Sequence, residues 1–129
     1  VTATRVGGGI KVIGGESMEE LHAMNPHEFA RLMIVQKLNG TVSPQKTGDM
    51  GIDGWIEFKT VPVQVKQSEV SRPVIDGFKT AIQRVDRKKG IVIGFSFSKG
   101  AIAEAERLHL QEGLKIDLVT VEEICAKKA

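Results

Sequence analysis

The stretch GDMGIDGWIEFKTVPVQVKQSE, residues 48–69, decides the fold, because it predicts a glycine-rich loop followed by two adjacent strands. The strand patterns occupy 53–58 and 61–67. Side chains alternate between the two faces of a strand. The second strand therefore places its valines on one face and Gln64 and Lys66, together with a proline, on the other.

The first strand brings an acid to the same place. Its alternating faces carry Gly54, Ile56 and Phe58 on one side, and Asp53, Trp55 and Glu57 on the other. If the apolar faces of the two strands lie together, Asp53, Gln64 and Lys66 share one polar face. The sequence thus predicts a cluster of a carboxylate, an amide and an ammonium group.

The turn between the strands sets the register. A two-residue Lys-Thr turn would place Asp53 opposite Lys66, whereas a four-residue loop, 57–60, would place it opposite Gln64. Lys-Thr is a poor two-residue hairpin turn, so the longer loop is favoured. Either register keeps the three groups within about 5 Å or one diagonal of each other.

These three side chains have a chemical use together. A carboxylate and an amide oxygen suit Mg²⁺, which retains several waters and takes one or two carboxylates. A lysine beside them can orient an attacking water and stabilise charge on a phosphoryl group. Glu28, at the start of a helix, offers a further carboxylate. Asp53, Gln64 and Glu28 are therefore the candidate metal ligands, and Lys66 is the candidate catalytic cation.

The rest of the chain alternates helices and strands. Capping boxes, apolar stripes and glycine stops predict an α-β-β-α-β-α-β-α order, and hence a mixed sheet flanked by helices. The predicted elements outside the hairpin are a short helix from 17, a helix over 25–38, a short strand near 42, a helix from 71 to about 89, a strand at 91–97, a helix from 98, a strand at 114–120 and a helix from 120.

Bulk properties narrow the class of protein. The 129 residues suit one domain, which we place at 17–129 after a glycine-rich linker or extension at 1–16. A single cysteine, Cys125, excludes an internal disulfide and fits a reducing, cytoplasmic setting. No apolar run is long enough for a membrane span. The net charge of +2 means that any nucleic-acid surface must be local.

The motifs carry a family resemblance. Asp53 followed by Gln-Val-Lys resembles the core of PD-(D/E)xK nucleases, and TGDMGIDG, VQVKQSE and FSFSKGA together look like the catalytic domain of Mrr-like restriction endonucleases. The chain is also similar to nuclease-like domains appended to DNA methyltransferases. The resemblance covers about 25–125. It implies an α/β restriction-endonuclease-like fold and DNA cleavage that depends on Mg²⁺ or Mn²⁺.

Carried over residue by residue, the resemblance implies a role for five positions. Asp53 is the metal ligand, Gln64 stands at the second acidic position, and Lys66 is the catalytic lysine. Gln67 is the usual companion in QVKQ and a DNA-contact candidate, and Glu28 matches the upstream helix acid. Gln64 departs from the broad family pattern, because a neutral amide replaces an acid.

Basic residues are the candidate DNA contacts. Four of them lie close together at the end of a predicted helix: Arg84, Arg87, Lys88 and Lys89. The fifth, Lys99, follows a predicted N-cap, where helix N–H groups can hold phosphate. Cations in a last helical turn also stabilise the helix dipole, which is the alternative interpretation. By analogy of fold, a homodimer with one site for each strand is expected, either in a restriction-modification setting or alongside a DNA methyltransferase.

Two other functions remain open from the sequence. A non-cleaving DNA-binding module is one, because a site with one carboxylate fewer binds metal less well. A resolvase for four-way DNA junctions is the other. Glu28 is also a natural capping-box acid, and Asp49 is either a second ligand or a loop acid, of which the loop interpretation is favoured.

Overall fold

The computed structural model describes residues 17–43 and 51–126. The predicted linker at 1–16 and the loop acid Asp49 lie outside these residues. The helices are α1 (Met18–Ala23), α2 (Pro26–Arg31), α3 (Arg72–Arg84), α4 (Lys99–Glu112) and α5 (Val121–Ala126), with a π-helix at Leu32–Lys37. The strands are β1 (Thr41–Val42), β2 (Gly54–Ile56), β3 (Val61–Val65), β4 (Glu69–Val70), β5 (Lys89–Gly94), β6 (Ser96–Phe97) and β7 (Lys115–Thr120).

Five of these strands form the main sheet in the order β1-β2-β3-β5-β7. The first three pair antiparallel, and β3, β5 and β7 pair parallel. The parallel pairs need crossover connections, which α3 and α4 provide. The mixed sheet flanked by helices that the sequence predicts is therefore confirmed.

Both faces of this sheet are covered. One apolar cluster includes Phe78 of α3 and Leu108 of α4, and the other includes Phe29 of α2 and Ile124 of α5. Gln64 pairs with Val92, which belongs to the α3–α4 cluster. The face that carries Gln64 is thus packed against α3 and α4, and Gln64 itself is half-buried.

Side-chain caps start the first two helices where the sequence predicts them. Ser17 and Glu20 form a reciprocal capping box with two hydrogen bonds of 3.1 Å. The carboxamide oxygen of Asn25 accepts the N–H groups of His27 at 2.8 Å and Glu28 at 3.3 Å. These bonds satisfy donors that would otherwise lack a partner within the helix, so local sequence fixes the entry to α1 and α2.

The helix after α2 differs from the prediction. The sequence predicts a regular helix through residue 38, whereas Leu32–Lys37 is a π-helix. Leu32, Met33 and Ile34 are all buried. A π-helix has more residues in each turn than an α-helix, so successive side chains diverge less and three in a row can face the core.

The strand predicted at 91–97 is split in two. The strand β5 ends at Gly94, and β6 pairs with β4 in a separate two-stranded sheet. The N–H of Phe95 donates to the carbonyl of Ser68 at 3.0 Å, which draws the chain out of the main sheet. A Cβ added to Gly94 would lie 2.5 Å from Val70 Cγ2, so only glycine allows this close approach.

The first hairpin strand is shorter than predicted. Glu57, Phe58 and Lys59 have positive φ angles of 52°, 60° and 67°, which ends β2 at Ile56. Phe58 does not share the apolar face of Ile56, as predicted from alternation, because it lies in the loop and is 100% exposed. The strand therefore ends two residues before the alternating sequence pattern ends, and the pattern does not predict the faces of these last two residues.

None of the helices within 17–43 and 51–126 combines the length and the apolar character that a membrane crossing requires.

Candidate active site

The candidate site lies where the hairpin meets the carboxyl end of β3. The hairpin pairs Gly54 with Val63 and Ile56 with Val61, which leaves 57–60 as its loop. The register that the longer loop predicts is therefore confirmed. Continued by one residue, this register would set Asp53 opposite Gln64, but the N–H of Asp53 donates to Val63, the partner of Gly54, so the regular pairing ends at Gly54.

Backbone and side chain both fix Asp53. Its N–H donates to the carbonyl of Val63 at 2.7 Å, and its carbonyl accepts the N–H of Ser43 at 2.9 Å. Its carboxylate Oδ2 accepts the N–H of Val65 at 2.7 Å. Because β2 begins only at Gly54, the carboxylate takes up a strand N–H at the point where the regular ladder has ended. Asp53 is thus held between the two hairpin strands.

Burial raises the pKa of Asp53 above its ordinary value. The hydrogen bond from Val65 and the positive charges of Lys66 and His27 act in the opposite direction, since each stabilises the carboxylate. Burial outweighs them, so the pKa stays raised. A bound cation would remove part of this burial cost, which is the behaviour expected of a metal ligand.

Lys66 follows directly after β3. Its N–H donates to the carbonyl of Ile93 at 2.8 Å, so its backbone is held to β5 although the strand has ended. A cavity of about 330 Å³ opens beside it. The cavity is lined by Pro26, Phe29, Val65, Lys66, Gln67 and Ser68. Lys66 therefore lines an open cavity, and its charge acts to lower the pKa of Asp53, which is not among the lining residues.

The other two candidate ligands are placed differently. Gln64 is half-buried in β3, between the valines that flank it. Glu28 is exposed in the first turn of α2 and is not among the groups that shift the pKa of Asp53. Within the described part of the chain, no three His, Cys, Asp or Glu side chains come together as a metal site. A ligand role for Glu28 therefore stays a prediction.

His27, exposed at the start of α2, was not singled out by the sequence. Its positive charge acts to lower the pKa of Asp53, although burial outweighs this effect. The sequence pattern showed only three histidines without metal-ligand spacing. The one available signal was its position beside Glu28 at the predicted start of a helix.

Gln67 has a structural contact that the sequence did not predict. Its amide nitrogen donates to the carbonyls of Leu21 and Met24, each at 2.8 Å, and of His22 at 3.4 Å. It therefore ties the end of α1 to the chain that follows Lys66. A DNA contact by Gln67 stays a prediction, and its NH₂ group is already engaged in this tie.

The candidate DNA-binding cations divide between two ends of the sheet. Lys99 is exposed at the start of α4, and a Cβ at the following Gly100 would lie 3.5 Å from the Cβ of Arg72, at the start of α3. These helix starts follow the carboxyl ends of the parallel strands, as the site does.

The four other cations, Arg84, Arg87, Lys88 and Lys89, do not border the cleft. Lys89 begins β5, whereas Ile93 is the β5 residue level with Val65. Four residues of parallel strand span about 13 Å. Sequence proximity to a helix end could not show at which end of the sheet these cations would lie.

Comparison with known proteins identifies the family to which the chain belongs. A family model described as "Mrr_cat: Restriction endonuclease" matches residues 21–127. This match takes in the hairpin, the candidate site and every helix from α2 onwards. Neither the curated proteins nor the solved structures contain a match to the chain.

Proposed function

Because the chain belongs to this family of restriction endonuclease catalytic domains, we propose that it is a metal-dependent endonuclease that hydrolyses the phosphodiester bonds of DNA. The family supports a nuclease, and the residues at the end of β3 support the metal and the chemistry. The observation that carries the proposal is the Asp53 carboxylate held by Val65, directly before Lys66.

The donor set fits a hard divalent cation. Asp53 offers a carboxylate bonded to the N–H of Val65, and Gln64, one residue before Val65, offers an amide oxygen on the face of β3 that packs against α3 and α4. Mg²⁺ prefers this combination of few protein ligands and several waters. Asp53 and Gln64 would hold the metal, with Glu28 as a further candidate. When bound, a divalent cation would activate water and neutralise charge on the phosphoryl group.

Lys66 supplies the fixed positive charge in this proposal. Its ammonium is close enough to Asp53 to act on the pKa of that carboxyl, and its backbone is held to β5. A charge placed in advance next to a phosphate stabilises the negative charge that develops in the transition state. Lys66 also orients the attacking water, because a lysine ammonium donates three hydrogen bonds.

A specific observation favours a second function, a DNA-binding module that does not cleave. No cluster of three acidic or imidazole ligands forms in residues 17–43 and 51–126, and Asp53 is the one acid that the hairpin brings to Lys66. A site with one carboxylate binds Mg²⁺ weakly. This alternative retains the fold and the DNA surface and lacks the hydrolysis.

A cleavage assay separates the two functions. Supercoiled plasmid incubated with the protein should be nicked with Mg²⁺ or Mn²⁺ and should stay intact in EDTA. Lys79→Ala is a matched control, because Lys79 lies on α3 and pairs with Glu112 at 3.2 Å, outside the site. Metal-independent or absent nicking, together with retained DNA binding, would establish the non-cleaving module.

A double-strand break would need a second active site, since the described residues present one Asp53–Lys66 pair in each chain. We therefore include a homodimer on DNA in the proposal, with one site for each strand. A partner DNA methyltransferase and a restriction-modification setting belong to the same proposal. Analytical ultracentrifugation of the protein with and without duplex DNA would test the dimer, and a monomer that makes double-strand breaks would contradict it.

A further inference from the structure

Cations gather at the end of the sheet opposite the candidate active site. Lys89 and Lys115 begin β5 and β7 and are direct partners in the parallel register. Val61, at the start of β3, is level with Lys89, because Val63 pairs with Ile91. The hairpin loop 57–60 precedes Val61, so it lies at this same end.

We call this end the basal surface. It is defined by Phe58, Lys59, Arg87, Lys88, Lys89 and Lys115, all of which are exposed. Among the described residues, no carboxylate lies within ion-pair distance of the first four cations, and Lys115 reaches Asp117 only at 4.0 Å. Two acids, Glu57 and Asp86, adjoin these five cations in sequence, so the surface retains an excess of positive charge.

Three features of this surface cost stability. Lys89 lies directly opposite Lys115, and like charges in that position repel each other. Phe58 is 100% exposed and buries no apolar area. Three successive non-glycine residues, 57–59, hold positive φ angles, which L-residues rarely adopt. Hydrogen bonds from Thr60 to the carbonyls of Ile56 and Glu57 hold the loop backbone. Among the described residues, however, nothing buries Phe58 or neutralises Lys89, and a ligand outside the chain would do both.

We propose that the basal surface binds the backbone of a DNA duplex at a place separate from the active site. Its cations neutralise phosphates, and Phe58 packs against sugars or base edges in a groove. The choice of DNA among polyanions rests on the proposed function, whereas the surface itself rests on charge and exposure alone.

The duplex on the basal surface is a second segment of DNA. The basal surface lies about 13 Å along β5 from the level of Val65, and the packed sheet and its helices fill the space between. Lys89 and Lys115 therefore lie at the end of the sheet opposite Lys66, and we assign them to a duplex other than the one seated in the cleft beside Lys66. Binding two segments would let the protein bridge distant parts of one DNA molecule.

Binding of a short fluorescent duplex in EDTA tests the charges. A triple variant with Lys88→Gln, Lys89→Gln and Lys115→Gln should bind more weakly. Its slope of log affinity against log salt should be less negative by roughly 0.9 for each lost contact, or about 2.7 in total. Arg31→Gln, which removes an exposed cation outside the basal surface, is the control and should leave the slope unchanged.

The corresponding triple arginine variant checks that charge is the cause. It keeps all three cations and should bind like the unchanged protein, whereas the glutamine variant should not. Circular dichroism confirms that each variant is folded. If the folded glutamine variant retains both the affinity and the salt slope, the basal surface does not bind DNA and the proposal is overturned.

Phe58 gives a test that does not depend on charge. Phe58→Ala should weaken duplex binding about five- to tenfold with the salt slope unchanged, because aromatic packing releases no counterions. Leu110→Ala is the matched control, since Leu110 is an apolar residue of α4 that is 74% exposed. Equal affinities for the two variants would remove Phe58 from the proposal.

The outcome is separable from the cleavage reaction. Binding in EDTA requires no hydrolysis. If the protein never nicks DNA, the proposed nuclease function is contradicted, but the binding measurement still tests the basal surface. Conversely, if the protein cleaves DNA but its DNA affinity is unchanged when the three lysines are replaced, the proposed function is supported and the basal-surface proposal is overturned.

Discussion

The carboxylate of Asp53 accepts the backbone N–H of Val65 at 2.7 Å, and Val65 directly precedes Lys66. This hydrogen bond therefore holds the acid beside the residue that precedes the cation of the candidate site. Asp53 and Lys66 each lie just outside a strand, and each also has a backbone hydrogen bond, Asp53 to Val63 and Lys66 to Ile93. The site depends on this contact as much as on the identity of its two charged groups.

Asp53→Asn should stop cleavage and leave the fold intact. The asparagine carboxamide oxygen can still accept the Val65 N–H, but it lacks the charge that binds the metal. DNA binding in EDTA should be equal or stronger, because a negative charge near phosphate is removed. Plasmid nicking and duplex anisotropy measure the two effects. Full cleavage by this variant would exclude Asp53 as a ligand.

Asp53→Ala separates the structural role from the chemical one. It leaves the Val65 N–H without its acceptor, at a cost of about 1–3 kcal/mol where that group is buried. Chemical denaturation should show this loss for alanine and not for asparagine. If both variants are equally stable, the hydrogen bond does not stabilise the hairpin.

Lys66→Ala should abolish cleavage and largely spare DNA affinity. One ammonium among several cations supplies little of the electrostatic binding, whereas the reaction needs charge at that position. Single-turnover cleavage and anisotropy in EDTA distinguish the two. A parallel loss of binding and cleavage would instead make Lys66 a phosphate contact.

Gln64→Glu should raise metal affinity, if Gln64 is a ligand. It places a second carboxylate one residue before Val65, and hard cations bind carboxylates more tightly than amides. Isothermal titration with Mn²⁺ measures the affinity. Gln64→Leu is the control, which should lower it. Indifference of Mn²⁺ affinity to both changes would place Gln64 outside the metal site.

The raised pKa of Asp53 predicts a pH dependence of stability with a defined sign. Burial favours the protonated carboxyl in the folded state, so the folded protein binds the proton more tightly than the unfolded chain does. The buried, ionised carboxylate therefore destabilises the folded protein. This effect is fully present above the raised pKa of Asp53, and it disappears as the pH falls through the raised pKa and then through the ordinary pKa of an aspartate. Asp53→Asn removes this effect at every pH.

The melting temperatures of the protein and of Asp53→Asn should therefore differ most near neutral pH and converge in acid. Thermal denaturation over a series of buffers measures the difference. Metal is left out of these samples, because a bound cation would itself lower the pKa of the carboxyl. A gap that widens as the pH falls would mean that hydrogen bonding and nearby cations outweigh burial.

Gln67→Ala should loosen α1 from the rest of the domain. It removes the amide that donates to the carbonyls of Leu21 and Met24. We therefore expect the free energy of unfolding to fall by about 1–3 kcal/mol. Hydrogen exchange should increase in 18–24 more than in α3. Gln67→Asn keeps the amide on a shorter side chain and is a control for reach. Unchanged exchange would show that α1 is held by its apolar contacts alone.

Local sequence was enough to predict the hairpin, whereas the roles of the site residues remain predictions. Strand alternation and the poor turn chemistry of Lys-Thr predict the loop 57–60 and its register, and the pairing of Gly54 with Val63 and of Ile56 with Val61 confirms them. The caps at Ser17 and Asn25 were equally readable. These features depend on residues within a few positions of each other, so local geometry is sufficient to predict them.

The tertiary structure alone decided what distant segments do to each other. The direction of β5 carries Lys89 away from the cleft, and the fold turns Gln67 towards α1. The same packing brings His27 near Asp53 and splits the predicted strand at Gly94. The physical reason is that each contact joins segments far apart in the chain, and their meeting depends on how the sheet and its two helical layers pack together, which no local period encodes.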